Sequence, residues 1–236
     1  MKNLIKYLEE NNIPFDDDVI RKFEEYRSGI LKWNEFVNLT AIVNPEEFTM
    51  KHFVDSVTCY NLAEYQDASN VLDLGTGAGF PGVPLAILSP EKEFTLVDSL
   101  NKRLKIINEL CENIGITNVR TVHGRAEDLT QKKEHREKYS LCISRAVANL
   151  STLSEYCLPF VGKGGYMMAY KGGDGLKEAE EAKNAIKTLG GRLHRIVDTP
   201  FDEKAEAHKI LIIKKIAGTP AKYPRKAGSP SKEPLK

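Results

Sequence analysis

The sequence predicts an α/β protein: a mostly parallel, seven-stranded sheet with helices on both faces, preceded by an N-terminal helical extension. Three observations lead there. Short apolar runs alternate with helical stretches from Asn70 onward, as in a doubly wound sheet. The first run breaks abruptly into Gly75-Thr76-Gly77-Ala78-Gly79-Phe80-Pro81-Gly82. Such a turn uses glycine's freedom at positive φ and lets a ligand approach the backbone. The next run closes on Asp98, roughly twenty residues beyond the turn, where such sheets set an acid against ribose hydroxyls.

Residues 1–64 read as the helical extension. Leu4, Ile5 and Leu8 form an apolar stripe that Pro14 interrupts. Asp16 to Asp18 offer an N-cap and favourable charge for a second helix. Its apolar face carries Val19, Phe23, Tyr26, Ile30 and Trp33, a core stripe rather than a base-stacking platform. Trp33-Asn34 to Thr40 ends this helix in a polar turn, and Asn44-Pro45 opens another. His52 and Asp55, three residues apart on it, read as packed, hydrogen-bonded residues.

Residues 65–216 form the main domain. Its predicted strands are Asn70 to Leu74, Phe94 to Val97 with Asp98 at the end, Val119 to His123, Tyr139 to Ser144 with Arg145 at the end, and Gly165 to Tyr170. Arg192 to Val197 and Lys209 to Ile213 complete the sheet as an antiparallel pair. Between them, Leu104, Ile107 and Leu110 mark the inner face of one helix. Leu150 to Phe160 and Leu176 to Leu189 are two more. Ligands in open α/β sheets bind at the carboxyl ends of the strands, so Arg145 is placed in the cleft region. A permanent cation there needs an anion or a polar partner. Residues 217–236 are a basic, Pro/Gly-rich tail, expected to be extended or disordered when free.

Charge is nearly balanced at +1, so no global field marks a nucleic-acid binder. From Lys214 onward, however, seven Lys or Arg face a single acid, Glu233, a distribution that can neutralise phosphates. The four cysteines are scattered without C-x-x-C spacing, which argues against a zinc site or a disulfide framework. No metal is expected. No apolar run reaches membrane-span length and the N-terminus is polar, so the expectation is a cytoplasmic protein without membrane contact.

The glycine turn admits two readings. Gly77, Gly79 and Gly82 spell G-x-G-x-x-G, the dinucleotide pattern, which is weak taken alone. Asp73 with Gly75, Gly77 and Gly79 spells D-x-G-x-G-x-G, which resembles motif I of the Rossmann-like S-adenosylmethionine-dependent methyltransferases. A pyrophosphate needs free N–H groups at the helix start, and Pro81 and Pro84 each remove one. An acid at the strand end also suits a ligand with ammonium and sulfonium charges.

Together with Val97-Asp98-Ser99-Leu100-Asn101-Lys102-Arg103, Gly124-Arg125-Ala126-Glu127 and Ser144-Arg145-Ala146-Val147-Ala148, this turn resembles one family. It is the bacterial small-subunit (16S) ribosomal RNA guanine-N7 methyltransferase family, also called glucose-inhibited division protein B. His52-Phe53-Val54-Asp55-Ser56, Tyr170-Lys171-Gly172 and the tail Tyr223-Pro224-Arg225-Lys226-Ala227-Gly228-Ser229-Pro230 are similar too.

The resemblance implies a class I S-adenosylmethionine-dependent methyltransferase fold. It implies cofactor contacts at Asp73, Gly75, Gly77 and Phe80, at Asp98 on the ribose, at Ala126 and Glu127 near the adenine, and at Arg145. Arg145 is the candidate for positioning substrate and cofactor. Lys171, Arg225 and Lys226 are candidates for flanking RNA phosphates. The implied partner is small-subunit ribosomal RNA or the assembled small subunit. Guanine N7 is an unprotonated lone pair, so attack on a sulfonium methyl needs no general base, and alignment and electrostatics carry the chemistry. No Asn-Pro-Pro-Tyr-like motif follows the fourth strand, and no Pro-Cys nucleophile is present. The tail is expected to serve the RNA and to leave cofactor affinity alone. A nicotinamide-dependent oxidoreductase and a non-catalytic RNA-binding protein are the rival classes.

Overall fold

Four helical stretches precede the sheet in the computed structural model, which describes residues 1–145, 147–199 and 208–235. Helices α1 (Lys2–Glu10) and α2 (Asp17–Asn34) come first. The Asp16 carboxylate caps α2 by accepting from the Val19 N–H at 2.9 Å, satisfying one of the donors a helix start leaves open. Asn44 does the same for α3 (Pro45–Phe48), accepting from the Glu46 and Glu47 amides, with Pro45 in the first turn. The chain continues through a π-helical stretch, Thr49–Val54, into α4 (Asp55–Val57) and then α5 (Ala63–Gln66).

The sheet begins with β1 (Asn70–Leu74), followed by α6 (Gly82–Leu88), β2 (Glu93–Asp98), α7 (Asn101–Ile114), β3 (Val119–His123), α8 (Ala126–Leu129) and β4 (Tyr139–Arg145). Then come α9 (Leu150–Cys157), β5 (Val161–Lys171), α10 (Gly175–Glu181), α11 (Lys183–Thr188), β6 (Gly191–Thr199), β7 (His208–Lys215) and α12 (Ser229–Lys232). The strand order is β3-β2-β1-β4-β5-β7-β6, with β7 antiparallel to both its neighbours and the other pairs parallel. The order reverses between β1 and β4, the point where such sheets open a cleft.

Alternation along each strand feeds two cores. Val71, Phe94, Leu96, Leu141 and Ile143 face one side, where Leu4, Leu8, Phe23, Tyr26 and Ile30 of the helical extension join them in a single apolar cluster. Leu72, Leu74, Val97, Cys142 and Met167 face the other, against Leu150, Leu153 and Ile186. Strands buried on both faces read as apolar runs rather than alternating ones, which is why β1 and β4 stand out in the sequence.

Several expectations are adjusted. The helix expected over Leu150 to Phe160 is α9 followed by a 3-10 turn at Leu158–Phe160, where Pro159 removes a helical donor. The helix expected over Leu176 to Leu189 is two helices, parted at Ala182. β5 begins at Val161, four residues before the expected start.

The tail departs most from expectation, since its described part folds back on the sheet instead of hanging free. Tyr223 is buried in the second core, and Arg136 donates to the carbonyls of Tyr223 and Thr219. Buried Lys215 donates to the Leu158 carbonyl and the Thr219 hydroxyl. Composition suggested disorder, but the segment carries a buried aromatic and Thr219 and Arg225, which bond to Glu137 and Glu155 of the main domain. Ala146 of the Ser-Arg-Ala motif and Lys236 of the basic tail lie outside the described residues.

Candidate cofactor cleft

The turn after β1 is held from three sides. The Gly75 and Thr76 amides donate to the Val97 carbonyl of β2 at 2.8 and 3.1 Å. The Asp73 carboxylate is fully buried, and its Oδ2 accepts from the Thr76 hydroxyl at 2.6 Å and from the Gly82 N–H at 2.9 Å. Burial pushes its pKa up to about 6, against the opposing pull of those two donors. From below, the buried Tyr26 hydroxyl of α2 donates to the Ala78 carbonyl at 2.9 Å. Gly75, Gly77 and Gly79 all have positive φ, which only glycine adopts without strain. A Cβ on Gly75 would sit 2.5 Å from Val147, whereas one on Gly77 would meet no protein atom within 4 Å.

Beside this turn, at the carboxyl ends of β1 and β2, lies a cleft of about 470 Å³. Gly75, Asp98, Ala126 and Glu127 line it, together with Ser99, Arg103, Val147 and Tyr156. Asp98 accepts from the Gly77 N–H at 3.0 Å through one oxygen and from the Leu100 N–H at 2.8 Å through the other. A carboxylate has about four acceptor sites, so two remain for hydroxyl donors in the cleft. The volume suits a nucleoside-sized ligand. The Gly82 amide, which a dinucleotide pyrophosphate would require at the start of α6, is already given to Asp73.

A second cluster lies on the helical-extension side of β4. The Arg145 guanidinium, 15% exposed, donates from Nη1 to Asp55 Oδ2 and to the Lys51 carbonyl. Its Nη2 faces His52 Nδ1 at 3.5 Å, and the His208 ring meets the other Asp55 oxygen at 3.1 Å. Arg145 and His208 hold the Asp55 carboxyl below its usual range, against the desolvation of its burial. His52 stacks parallel on Phe80 at 4.5 Å, and burial with Arg145 nearby lowers its pKa to about 4. The ring is therefore neutral near pH 7. With the Nδ1 lone pair turned to Arg145, Nε2 carries the proton and donates to the Thr40 hydroxyl at 2.7 Å.

The residues singled out from the sequence thus divide. Gly75, Asp98, Ala126 and Glu127 line the cleft. Gly77 joins them through its amide on Asp98. Asp73 and Phe80 do not line it. Asp73 braces the turn, and Phe80 is buried among Tyr26, Phe48 and Phe53, with His52 against it. Arg145, expected to point into the cleft, is turned toward Asp55, because a buried guanidinium takes the nearest carboxylate. Lys171 is bound by Glu178 at 2.7 Å and the Ala148 carbonyl, and Arg225 grips the fully buried Glu155. Neither offers a free cation to phosphate. Lys226 is exposed.

Sequence reasoning missed the pairing of Asp55 with Arg145 and the presence of Gly228 and Ser231 on the cleft wall. Two residues ninety positions apart leave no local signal, although the unpartnered arginine at a strand end was a reason to look for an acid. All four cysteines are buried and free. Among the described residues no group of His, Cys, Asp or Glu is placed to hold a metal, and no helix is long and apolar enough to cross a membrane.

A family model described as rRNA small subunit methyltransferase G matches residues 19–205. Similar curated proteins carry the name ribosomal RNA small subunit methyltransferase G. That of Clostridium tetani is 46% identical over 95% of this chain and 94% of its own length. That of Desulforamulus reducens is 49% identical over 90% of this chain and 89% of its own. Among solved structures, an O-methyltransferase from Bacillus cereus in complex with SAH superposes with a TM-score of 0.59 at 18% identity, covering 89% of this chain and 96% of that one. The O-methyltransferase TomG from Streptomyces achromogenes, in complex with SAM, gives 0.56 at 13% identity, covering 89% and 95%. At such identities these two speak for the fold alone, that of the Rossmann-like class I methyltransferases.

Proposed function

The chain belongs to the rRNA small subunit methyltransferase G family, and from that premise we infer that its cleft holds S-adenosylmethionine and directs a methyl group to N7 of a guanosine in small-subunit ribosomal RNA. The observation that carries the reading is the lining of one cleft, at the ends of β1 and β2, by Gly75, Asp98 and Glu127. When bound, the cofactor supplies an electrophilic methyl group on a sulfonium centre.

The chain's own residues supply position. Asp98, fixed by two backbone amides, offers its remaining acceptor sites to the ribose hydroxyls. Ala126 and Glu127 sit where a backbone N–H and a carboxylate can read the adenine edge. Gly75 keeps the wall thin enough for close approach. Guanine N7 has a lone pair and no proton, so no residue has to act as a base, and the rate gain comes from alignment in a dry site. Arg145 acts as a positioning residue: through Asp55 and the Lys51 carbonyl it ties the helical extension to the end of β4. Lys226 and the other exposed cations of the tail are the candidates for flanking phosphates. The target guanosine must leave its stack to reach the cleft, which favours a looped region of the RNA. Action on ribosomal RNA supports a cytoplasmic location.

Guanosine methylated at N7 is cationic, and its RNA is cleaved there after borohydride and aniline. RNA from cells lacking this protein should lose one such cleavage in the small subunit and regain it on complementation. Unchanged cleavage, or loss of a methyl group from an exocyclic amine or a ring carbon, would remove the assignment. Running the purified protein on naked RNA and on assembled subunits separates the two candidate substrates.

A further inference from the structure

We propose that the C-terminal segment from Tyr223 to Ser231 is an integral wall of the cofactor cleft, and that Gly228 positions the Glu127 carboxylate for the adenine. The proposal rests on the reading of the cleft given above. Gly228 and Ser231 line the same cleft as Asp98 and Ala126, although they lie about a hundred residues further along the chain. The Gly228 N–H donates to Glu127 Oε1 at 3.0 Å, and Gly228 has a φ of +83°, a conformation that suits glycine. Glu127 is 7% exposed, so its rotamer is set by this bond and by packing. One oxygen committed to Gly228 leaves the other to accept from the exocyclic amine of the base.

The segment is anchored independently of any ligand. Arg225 donates from its backbone amide, Nε and Nη2 to Glu155, a carboxylate with no exposure. The Thr152 hydroxyl donates to the Pro230 carbonyl at 2.9 Å. Both partners lie on α9, and Tyr223 is packed in the core beneath it. Such anchoring fixes the wall before the cofactor arrives, so binding spends no free energy on ordering it. The tail is thus more than a basic strap for RNA, and its removal reaches the cofactor.

Calorimetric titration of S-adenosylmethionine tests this on the full chain and on five variants: a chain ending at Lys226, Glu127→Ala, these two combined, Ser231→Trp and Asp98→Ala. The shortened chain should bind about tenfold more weakly, the size of a lost hydrogen bond to a charged group. The combined variant should lose less affinity than the sum of its two parents, since part of what the shortened chain loses acts through the Glu127 carboxylate. Ser231 is exposed, so Ser231→Trp should keep the thermal transition of the parent and still weaken binding by filling the cleft. This variant decides the matter if the shortened chain does not fold. Parental affinity in Ser231→Trp or in a folded shortened chain, or additive losses in the combination, would overturn the proposal. If Asp98→Ala also binds as the parent does, the reading of the cleft itself has failed; if only Asp98→Ala weakens binding, the cleft stands and the wall does not.

Discussion

Asp55 and Arg145 form a pair with little exposure, and neither charge is tolerable there without the other. Asp55→Ala should therefore cost about 3 kcal/mol of stability, because it strands the guanidinium. The double variant with Arg145→Ala should cost less than the sum of the two, as denaturant titration can show. In single-turnover assays Arg145→Ala should lower methyl transfer more than it lowers cofactor affinity, since Arg145 does not line the cleft. Equal losses in both would count against its positioning role. His52 makes a pH-dependent contribution. Its pKa falls from 6.5 to about 4 on folding, so between those values the unfolded chain binds more protons. Its contribution to stability is present above pH 6.5 and is lost as pH falls toward 4. Asp73, raised from 3.8 to about 6, works in the opposite sense, favouring the folded state more at the acid end of that window. The difference between the parent and His52→Gln isolates the histidine. The parent's advantage should shrink by up to about 3 kcal/mol from pH 7 to pH 4, and a pH-independent difference would refute the linkage.

At the scale of elements, the turn between β1 and α6 depends on helix α2 beneath it. A Cβ on Gly79 would lie 2.1 Å from the Tyr26 hydroxyl, and the residue has a φ of +88°. Gly79→Ala should thus destabilise by a few kcal/mol, of which roughly 1–2 is backbone strain and the rest displacement of Tyr26 and of Val83, whose Cγ2 would lie 2.8 Å away. Adding Tyr26→Phe removes the clashing oxygen and should recover part of the loss, despite forfeiting the bond to the Ala78 carbonyl. No recovery in thermal melts would mean that the Tyr26 hydroxyl does not set the cost, leaving backbone strain and the Val83 contact. Gly77 differs, because its Cβ would meet no protein atom. Gly77→Val should pay only for its φ of +59°, keep its fold and lose cofactor affinity, whereas parental affinity in a folded variant would show that the ligand does not approach this part of the turn.

At the scale of the whole molecule, one of the two apolar clusters joins the helical extension to the sheet, running from α1 and α2 into β1, β2 and β4. The helical extension covers one face of the sheet over its parallel strands, and parallel strands require cover on both faces. A chain beginning at residue 65 should therefore fail to fold, and the full chain should melt in one transition. Two separated calorimetric transitions would mean that residues 1–64 form a unit of their own. The tail closes the molecule on the other face through Tyr223 and Arg225.

The sequence by itself determined the order of the strands along the chain, the glycine turn, the acid at the end of β2 and the family, because these depend on residues close together in the chain. Periodicity and turn chemistry are local, and a run such as Val71-Leu72-Asp73-Leu74-Gly75 carries them whole. Only the tertiary structure decided where the long charged side chains go. Arg145, Lys171 and Arg225 each ended on a carboxylate supplied by another element, since desolvation makes a partly buried cation seek an anion wherever the fold brings one. The same holds for Glu127 and Gly228, which meet where Arg225, Thr152 and Tyr223 anchor the tail against α9 and the core beneath it.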